Sequence, residues 1–385
     1  MPNDPHADTG ATSPVEYLAT DVRPPEEGMA LCLSGGGYRA MVFHVGVLWR
    51  LYEANLLQGL KRISSVSGGS ITAGVLGLNW NKLSFDPTHI EDDFIKLLVK
   101  PVREMASRTI DANSIIGGIL LPGSISDKIV SHYREQLFGN ATLQDLPDDF
   151  PRFVINATNV QSTVLWRFMK PYMRDYRVGE IKNPTVELAV AVAASSAFPP
   201  VLSPLVMKVD PDSFTPNTGD DLQERPYTSE VVLTDGGVYD NLGLETAYKR
   251  YKTILVSDAG GATEPEPEPK HDWARHAYRV LNIIDRQVRS LRKRQLIHAF
   301  ETKERNGAYW GIRTDITHYG LPDVLPCPYA RALELARTPT RLKRLPDERQ
   351  EHLINWGYAV CDAAIRTWVD KTLPKGRFPY KVGVG

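Results

Sequence analysis

The sequence predicts an α/β fold: a central, mainly parallel sheet flanked by helices, with a helical C-terminal extension. Two observations carry that expectation. From residue 29 onward short apolar runs alternate with helical segments, an order that favours a parallel sheet covered on both faces. Three of the apolar runs also end in glycine-rich turns, the place where such sheets build their sites.

The elements follow in order. Residues 1–27 are rich in Pro, Asp and Thr and are expected to be a disordered tail. "MALCL" (29–33) is the first strand. After "SGGGYRA" comes a nearly all-apolar helix, "MVFHVGVLWRLYEAN" (41–55), which must be buried. "RISSV" (62–66) is the second strand, delivering Ser67 to the small-faced helix "SITAGVLGL". Residues 80–150 read as mostly helical, broken by the loop "GGILLPGS" (117–124). "RFVINATNV" (152–160) and "TVLWRFM" (163–169) read as strands. "NPTVELAVAVAASSAF" (183–198) predicts a helix with Asn183 as N-cap and Pro184 at its first position. "EVVLTDGG" (230–237) and "KTILVSDAGG" (252–261) are strands ending in tight turns.

A core domain over 28–260 is thus expected to pass through a Glu/Pro linker loop, 261–270, into an extension over 271–385 packed on it. In the linker, "TEPEPEPK" alternates Pro with Glu and stays extended and solvated. The extension opens with an amphipathic helix over 272–300, whose apolar positions are Trp273, Ala277, Val280, Leu281, Ile284, Val288 and Leu291. An edge strand "YWGIRTDI" (309–316) and a final helix over 348–369 complete it.

Totals bound the partners. The 385 residues carry a net charge of −1, so the molecule as a whole is not built to grip nucleic acid. Cys32, Cys327 and Cys361 are few and odd in number, which fits a reducing compartment. The opening "MPNDPHADTG" lacks the pattern of a signal peptide, and no apolar stretch reads as a membrane span. The expected location is the cytoplasm. Arg286, Arg289, Arg292, Lys293 and Arg294 leave peripheral contact with an anionic membrane open. The plainer reading of that helix is a solvated face covering the core, and a mobile lid is a third. No Cys or His spacing suggests a metal site, and no cofactor is expected.

The three glycine turns set the chemistry: Gly35-Gly36-Gly37, Ser67-Gly68-Gly69 and Asp235-Gly236-Gly237. Acyl transfer needs a nucleophile, a proton acceptor and donors for an oxyanion. Ser67, opening a helix, supplies the first, and Asp235 on its own turn supplies the second. Gly35 to Gly37 offer unobstructed N–H donors, and Gly68 lets a substrate carbonyl approach the backbone. A carboxylate is a weak base for an alcohol, so Asp235 is expected to be buried with its pKa raised by desolvation.

"SGGGYRA", "SVSGG", "DGG" and "ASSAFPPV" (194–201) together resemble the patatin-like phospholipases, with the motifs G-G-G-x-R/K-G, G-x-S-x-G and D-G-G/A in that order over about 29–260. "SGGGYRAM" is also similar to the loop of the cytosolic group IV phospholipases A2, where alanine follows the arginine. The resemblance implies a three-layer fold, no cofactor, and a Ser–Asp dyad hydrolysing acyl esters, commonly those of glycerophospholipids. Ser67 matches the nucleophile, Asp235 its base, and Gly35, Gly36 and Gly37 the oxyanion loop. Arg39 matches the basic position of that loop, either binding an anionic head group or forming a structural ion pair. Ala40 and Ser65 depart from the motifs by replacing glycines. Serine at 65 is the next smallest side chain and is expected to fit with a small backbone shift.

Two rivals remain. A Ser-Asp-His esterase would draw on His271, His276, His298, His318 or His352, whereas His44 lies in the first buried helix as a core residue. A catalytically silent lipid- or nucleotide-binding module has Ser65 as its support.

Overall fold

The computed structural model describes residues 24–110, 124–200, 202–261 and 264–385. Residues 1–23 of the expected tail lie outside that range, as does the loop predicted at 117–124 apart from Ser124, which begins a helix. The last two residues of the expected tail are instead ordered, because the chain enters its first strand at Glu26.

One ten-stranded sheet forms the centre. Its strands are β1 (Glu26–Leu33), β2 (Leu60–Val66), β3 (Arg152–Asn159), β4 (Val164–Phe168), β5 (Tyr172–Asp175), β6 (Gly179–Lys182), β7 (Leu205–Lys208), β8 (Glu230–Asp235), β9 (Tyr251–Asp258) and β10 (Asn306–Gly311). The order is β10-β9-β1-β2-β3-β4-β5-β6, with β8 beside β3 and β7 on β8. Strands β10, β9, β1, β2 and β3 run parallel. The remaining pairs are antiparallel; short turns rather than helices join β3 through β6, which permits this pairing there.

Helices cover both faces, and β1 shows how. Alternate side chains of a strand point to opposite sides. Leu31 and Leu33 enter the larger core. Ala30 and Cys32 enter a smaller one with Leu242, Leu244, Ile254, Val256 and Leu296. The larger core holds α1 (Gly37–Glu53), buried from Gly37 to Tyr52 as its nearly all-apolar sequence requires, with Arg39, His44 and Arg50 buried among the apolar residues. Around it lie α2 (Gly68–Asn79), α3 (Lys100–Ala106), α4 (Ser124–Tyr133) and α5 (Leu188–Ser195).

The C-terminal segment is woven into this core. It contributes β10, paired with β9, before α7 (Tyr329–Ala336) and α8 (Asp347–Trp368). Helix α8 lies along α1, and its Arg366 and α1's Arg50 meet at the buried Asp362. The edge strand, Asn306–Gly311, starts three residues before the expected 309–316 and ends five residues before that stretch does.

Two further expectations are corrected. The helix predicted from Pro184 begins at Leu188, with Glu187 at its N-cap. Residues before it are held extended: Leu143 N–H donates to the Val186 carbonyl, and Glu187 pairs with Arg134 at 2.8 Å. Asn183 instead takes a left-handed φ of 45°. The long helix α6 (Trp273–Glu301) forms as predicted, but its apolar stripe does not cover the core. Only Leu296 and Ala299 are buried, while Trp273 is 84% exposed.

Candidate active site

The site exists because two strands share one edge of β3. Strand β2 runs parallel to β3 and stops where Val66 meets Asn156. Strand β8 arrives from the opposite direction and stops where Asp235 meets Ala157. The two strand ends collide head-on, which brings Ser67 and Asp235 together. Asp235 thus arrives on an antiparallel strand, not on the shared edge of a parallel sheet. The glycine loop after β1 comes from the neighbouring strand on the other side of β2.

Ser67 sits at φ 52° and ψ −120°, a strained turn between β2 and α2. Holding a non-glycine residue there costs of order 1–3 kcal/mol, and the surroundings must enforce it. The enforcement is visible. Ser67 N–H donates to Ser195 Oγ at 2.9 Å. Ser195 Oγ bonds Ser70 Oγ at 2.8 Å, Ser70 donates to Ser65 Oγ at 3.0 Å, and Ser65 donates to the Val154 carbonyl at 3.3 Å. Ser65, where the motif carries glycine, is therefore fully buried and hydrogen-bonded. At Gly68 any side chain would overlap the Gly37 carbonyl, so that position demands glycine.

Asp235 is 2% exposed. Its N–H donates to the Ala197 carbonyl at 3.0 Å, and Thr158 Oγ1 donates to its carbonyl at 2.9 Å. Gly237 N–H donates to Oδ1 at 2.7 Å. Burial raises its pKa to about 7, against the lowering effects of the Gly237 bond and a hydrogen bond from the Ser67 side chain, and Asp285 of α6 adds to the rise. The segment 195–197 holds both partners: Ser195 Oγ takes the Ser67 amide, the Ser195 carbonyl takes the Gly236 amide at 3.2 Å, and Ala197 takes Asp235.

The glycine loop divides its roles. Gly35 N–H donates to the Asn241 carbonyl at 3.1 Å and is not free for a substrate. Gly36 and Gly37, at φ 146° and 59°, lie at the start of α1 with no intramolecular acceptor for their N–H groups among the described residues. Arg39 is 2% exposed and makes no salt bridge among the described residues. Its Nε and Nη2 donate to the Ala259 carbonyl at 3.2 and 3.0 Å, and its Nη1 to the Thr338 carbonyl at 2.5 Å. Burial lowers its pKa to about 10. Neither a head-group contact nor an ion pair describes it; it ties the loop to the ends of β9 and α7.

Two residues escaped the sequence reading. Ser195 lay inside "ASSAF" with no sign of which serine turns toward the elbow. Asn241 wedges its amide oxygen between Gly35 and Gly237, where a side chain on either would overlap or crowd it. Only the fold reveals that contact. No histidine partners Ser67 or Asp235 among the described residues. His44 is fully buried between Ser257 and the Ser34 carbonyl, its pKa lowered to about 4 by burial. Among the described residues no three His, Cys, Asp or Glu side chains gather as a metal site.

Comparison with solved structures supports the fold. Human GIVD cytosolic phospholipase A2 in complex with methyl gamma-linolenyl fluorophosphonate and terbium chloride is similar at a TM-score of 0.50 and 14% identity, over 88% of this chain and 58% of that one. Its fluorophosphonate complex without terbium gives 0.49 and 13%, over 88% and 57%. VipD from Legionella pneumophila gives 0.32 and 16%, over 82% and 66%. The chain thus spans under three-fifths of the length of the human structures. A search of curated protein sequences finds no significant match. A family model described as patatin-like phospholipase matches residues 31–248, which include the glycine loop, the Ser67 elbow and the Asp235 turn. Matched over more than half its length, the chain belongs to the patatin-like phospholipase family.

Proposed function

We propose that the chain is a lipid acyl hydrolase of the phospholipase A or lysophospholipase kind, working through a Ser67–Asp235 dyad. The observation that carries this reading is the buried Asp235 carboxyl, its pKa raised to about 7, set against a serine held in a strained elbow. A base titrating near the working pH is matched to moving a proton in both directions. Ser67 Oγ adds to the acyl carbonyl as its proton passes to Asp235. The N–H groups of Gly36 and Gly37 take the tetrahedral oxyanion. Collapse releases the alcohol, which recovers the proton from Asp235. Water, deprotonated by the same carboxylate, then frees the fatty acid and restores Ser67.

A Ser-Asp-His triad finds no support, since no histidine reaches either residue among the described ones. Nor does Ser65 argue for a silent site, because its hydroxyl is absorbed by the network beneath the elbow. The reading extends to a peripheral lipid contact, supported by the exposed stripe of α6, and to a cytoplasmic location, supported by three buried free thiols. Ser67→Ala and Asp235→Asn should each lower short-chain ester hydrolysis by about a thousandfold or more while leaving the melting temperature near that of the parent. A fluorophosphonate probe should label the parent at Ser67 and neither variant. Undiminished turnover in either variant removes the dyad.

A further inference from the structure

Between α7 and α8 the chain runs Arg337-Thr338-Pro339-Thr340-Arg341-Leu342-Lys343-Arg344, with four cations and no acid in eight residues. A charge run is ordinarily a solvated loop. This one is strapped to the site. The Arg341 carbonyl accepts from Tyr38 N–H at 3.1 Å, and the Leu342 carbonyl from Ile110 N–H at 2.9 Å. Arg344 N–H donates to Thr109 Oγ1 at 3.0 Å, and the Thr338 carbonyl holds Arg39. The backbone of Arg341 also occupies the space a side chain on Gly37 would need, with its nitrogen 2.9 Å from that position. The strap therefore roofs one side of the oxyanion loop.

Its four cations are exposed. None of the four has a side-chain partner among the described residues. The adjacent acid Glu334 is held by Arg331 at 2.9 Å and Arg349 at 3.0 Å. Asp347 opens α8, where the helix N-terminus stabilises its charge. Four like charges fixed on one short segment repel each other unless an anion answers them. Arg39, the motif's own cation, is buried and cannot answer a phosphate.

We propose that this strap is a docking surface for anionic lipid, which holds phosphate-bearing head groups beside the glycine loop and so presents their acyl esters to Ser67. The proposal rests on the lipid-hydrolase reading above, and its test does not depend on turnover. The full chain carrying Ser67→Ala is floated with phosphatidylcholine vesicles, with and without phosphatidylglycerol. It should prefer the anionic vesicles, and added salt should weaken that preference. Each cation near an anionic surface contributes about fivefold in affinity, so R341E/K343E/R344E should lose on the order of a hundredfold. Lys343→Gln, which disturbs no backbone contact, should lose about fivefold on its own. Equal binding to both vesicle types, or a Lys343→Gln form that binds anionic vesicles as tightly as its parent, overturns the proposal. So does displacement by inorganic phosphate well beyond that by chloride at matched ionic strength, which would make the strap a free-phosphate site. Residual ester hydrolysis by Ser67→Ala, measured separately, bears on the dyad and not on the strap.

Discussion

Helices α8 and α6 are both amphipathic, yet one is buried without a break from Leu353 to Arg366 and the other buries only Leu296 and Ala299. The difference is the partner. Helix α8 lies against α1, which is buried from Gly37 to Tyr52. Gly46 and Gly357 let the two backbones touch, since a side chain on either would overlap a main-chain oxygen of the other helix, that of Ile354 or Phe43. Helix α6 meets the body mainly through polar ties: Arg292 to Glu245 at 2.7 Å and to Asp240 at 3.6 Å. Its stripe, including Leu281 at 56% and Ile284 at 54% exposure, faces outward. Periodicity reports that a helix has a face. It does not report whether anything meets that face.

The contrast can be broken first by truncation. Trp356→Ala in α8 should cost about 3–5 kcal/mol in urea unfolding, because a fully buried indole leaves a cavity and its Nε1–H bond to the Ile312 carbonyl is lost. Leu281→Ala and Ile284→Ala in α6 should each stay within about 0.5 kcal/mol of the parent. Comparable losses at both helices would mean that α6 is packed in solution. Next comes the seam itself. Gly46→Ala should cost about 1–3 kcal/mol by forcing α1 and α8 apart, despite alanine's better helix propensity. A neutral result would show that the two backbones do not touch.

The smallest effect tests what α6 does if it does not hold the core together. Asp285 is a negative charge that helps raise the Asp235 pKa. Asp235 must be deprotonated to act as base, so the rate should climb as pH rises through about 7. Asp285→Asn removes the repulsion, eases ionisation of Asp235 and should move that limb to lower pH with little change in melting temperature. An unmoved limb would detach α6 from the chemistry altogether.

Much of the site was legible because its local demands are severe. Ser67 needs small neighbours and a following helix, Gly68 must let the Gly37 carbonyl pass, and a buried carboxylate needs a tight turn that supplies an amide. Those constraints leave marks within a few residues of each other. Asn241, Ser195 and the true role of Arg39 left no such marks. Each acts on backbone groups far away in sequence: Arg39 reaches 220 residues to Ala259 and 299 to Thr338.

The amino-acid order by itself determined the C-terminal ends of β1, β2 and β8, their glycine turns, the buried α1 and the pairing of a serine with an aspartate, because these depend on local sterics and on apolar patterning. Only the tertiary structure decided that Asp235 would come from an antiparallel strand, that α8 and not α6 would find a partner, and that Arg39 would be an internal tie while the strap after α7 displays exposed cations. Those outcomes depend on which surfaces meet. Contact between distant segments is set by packing of the whole chain, and a short window of sequence carries no record of it.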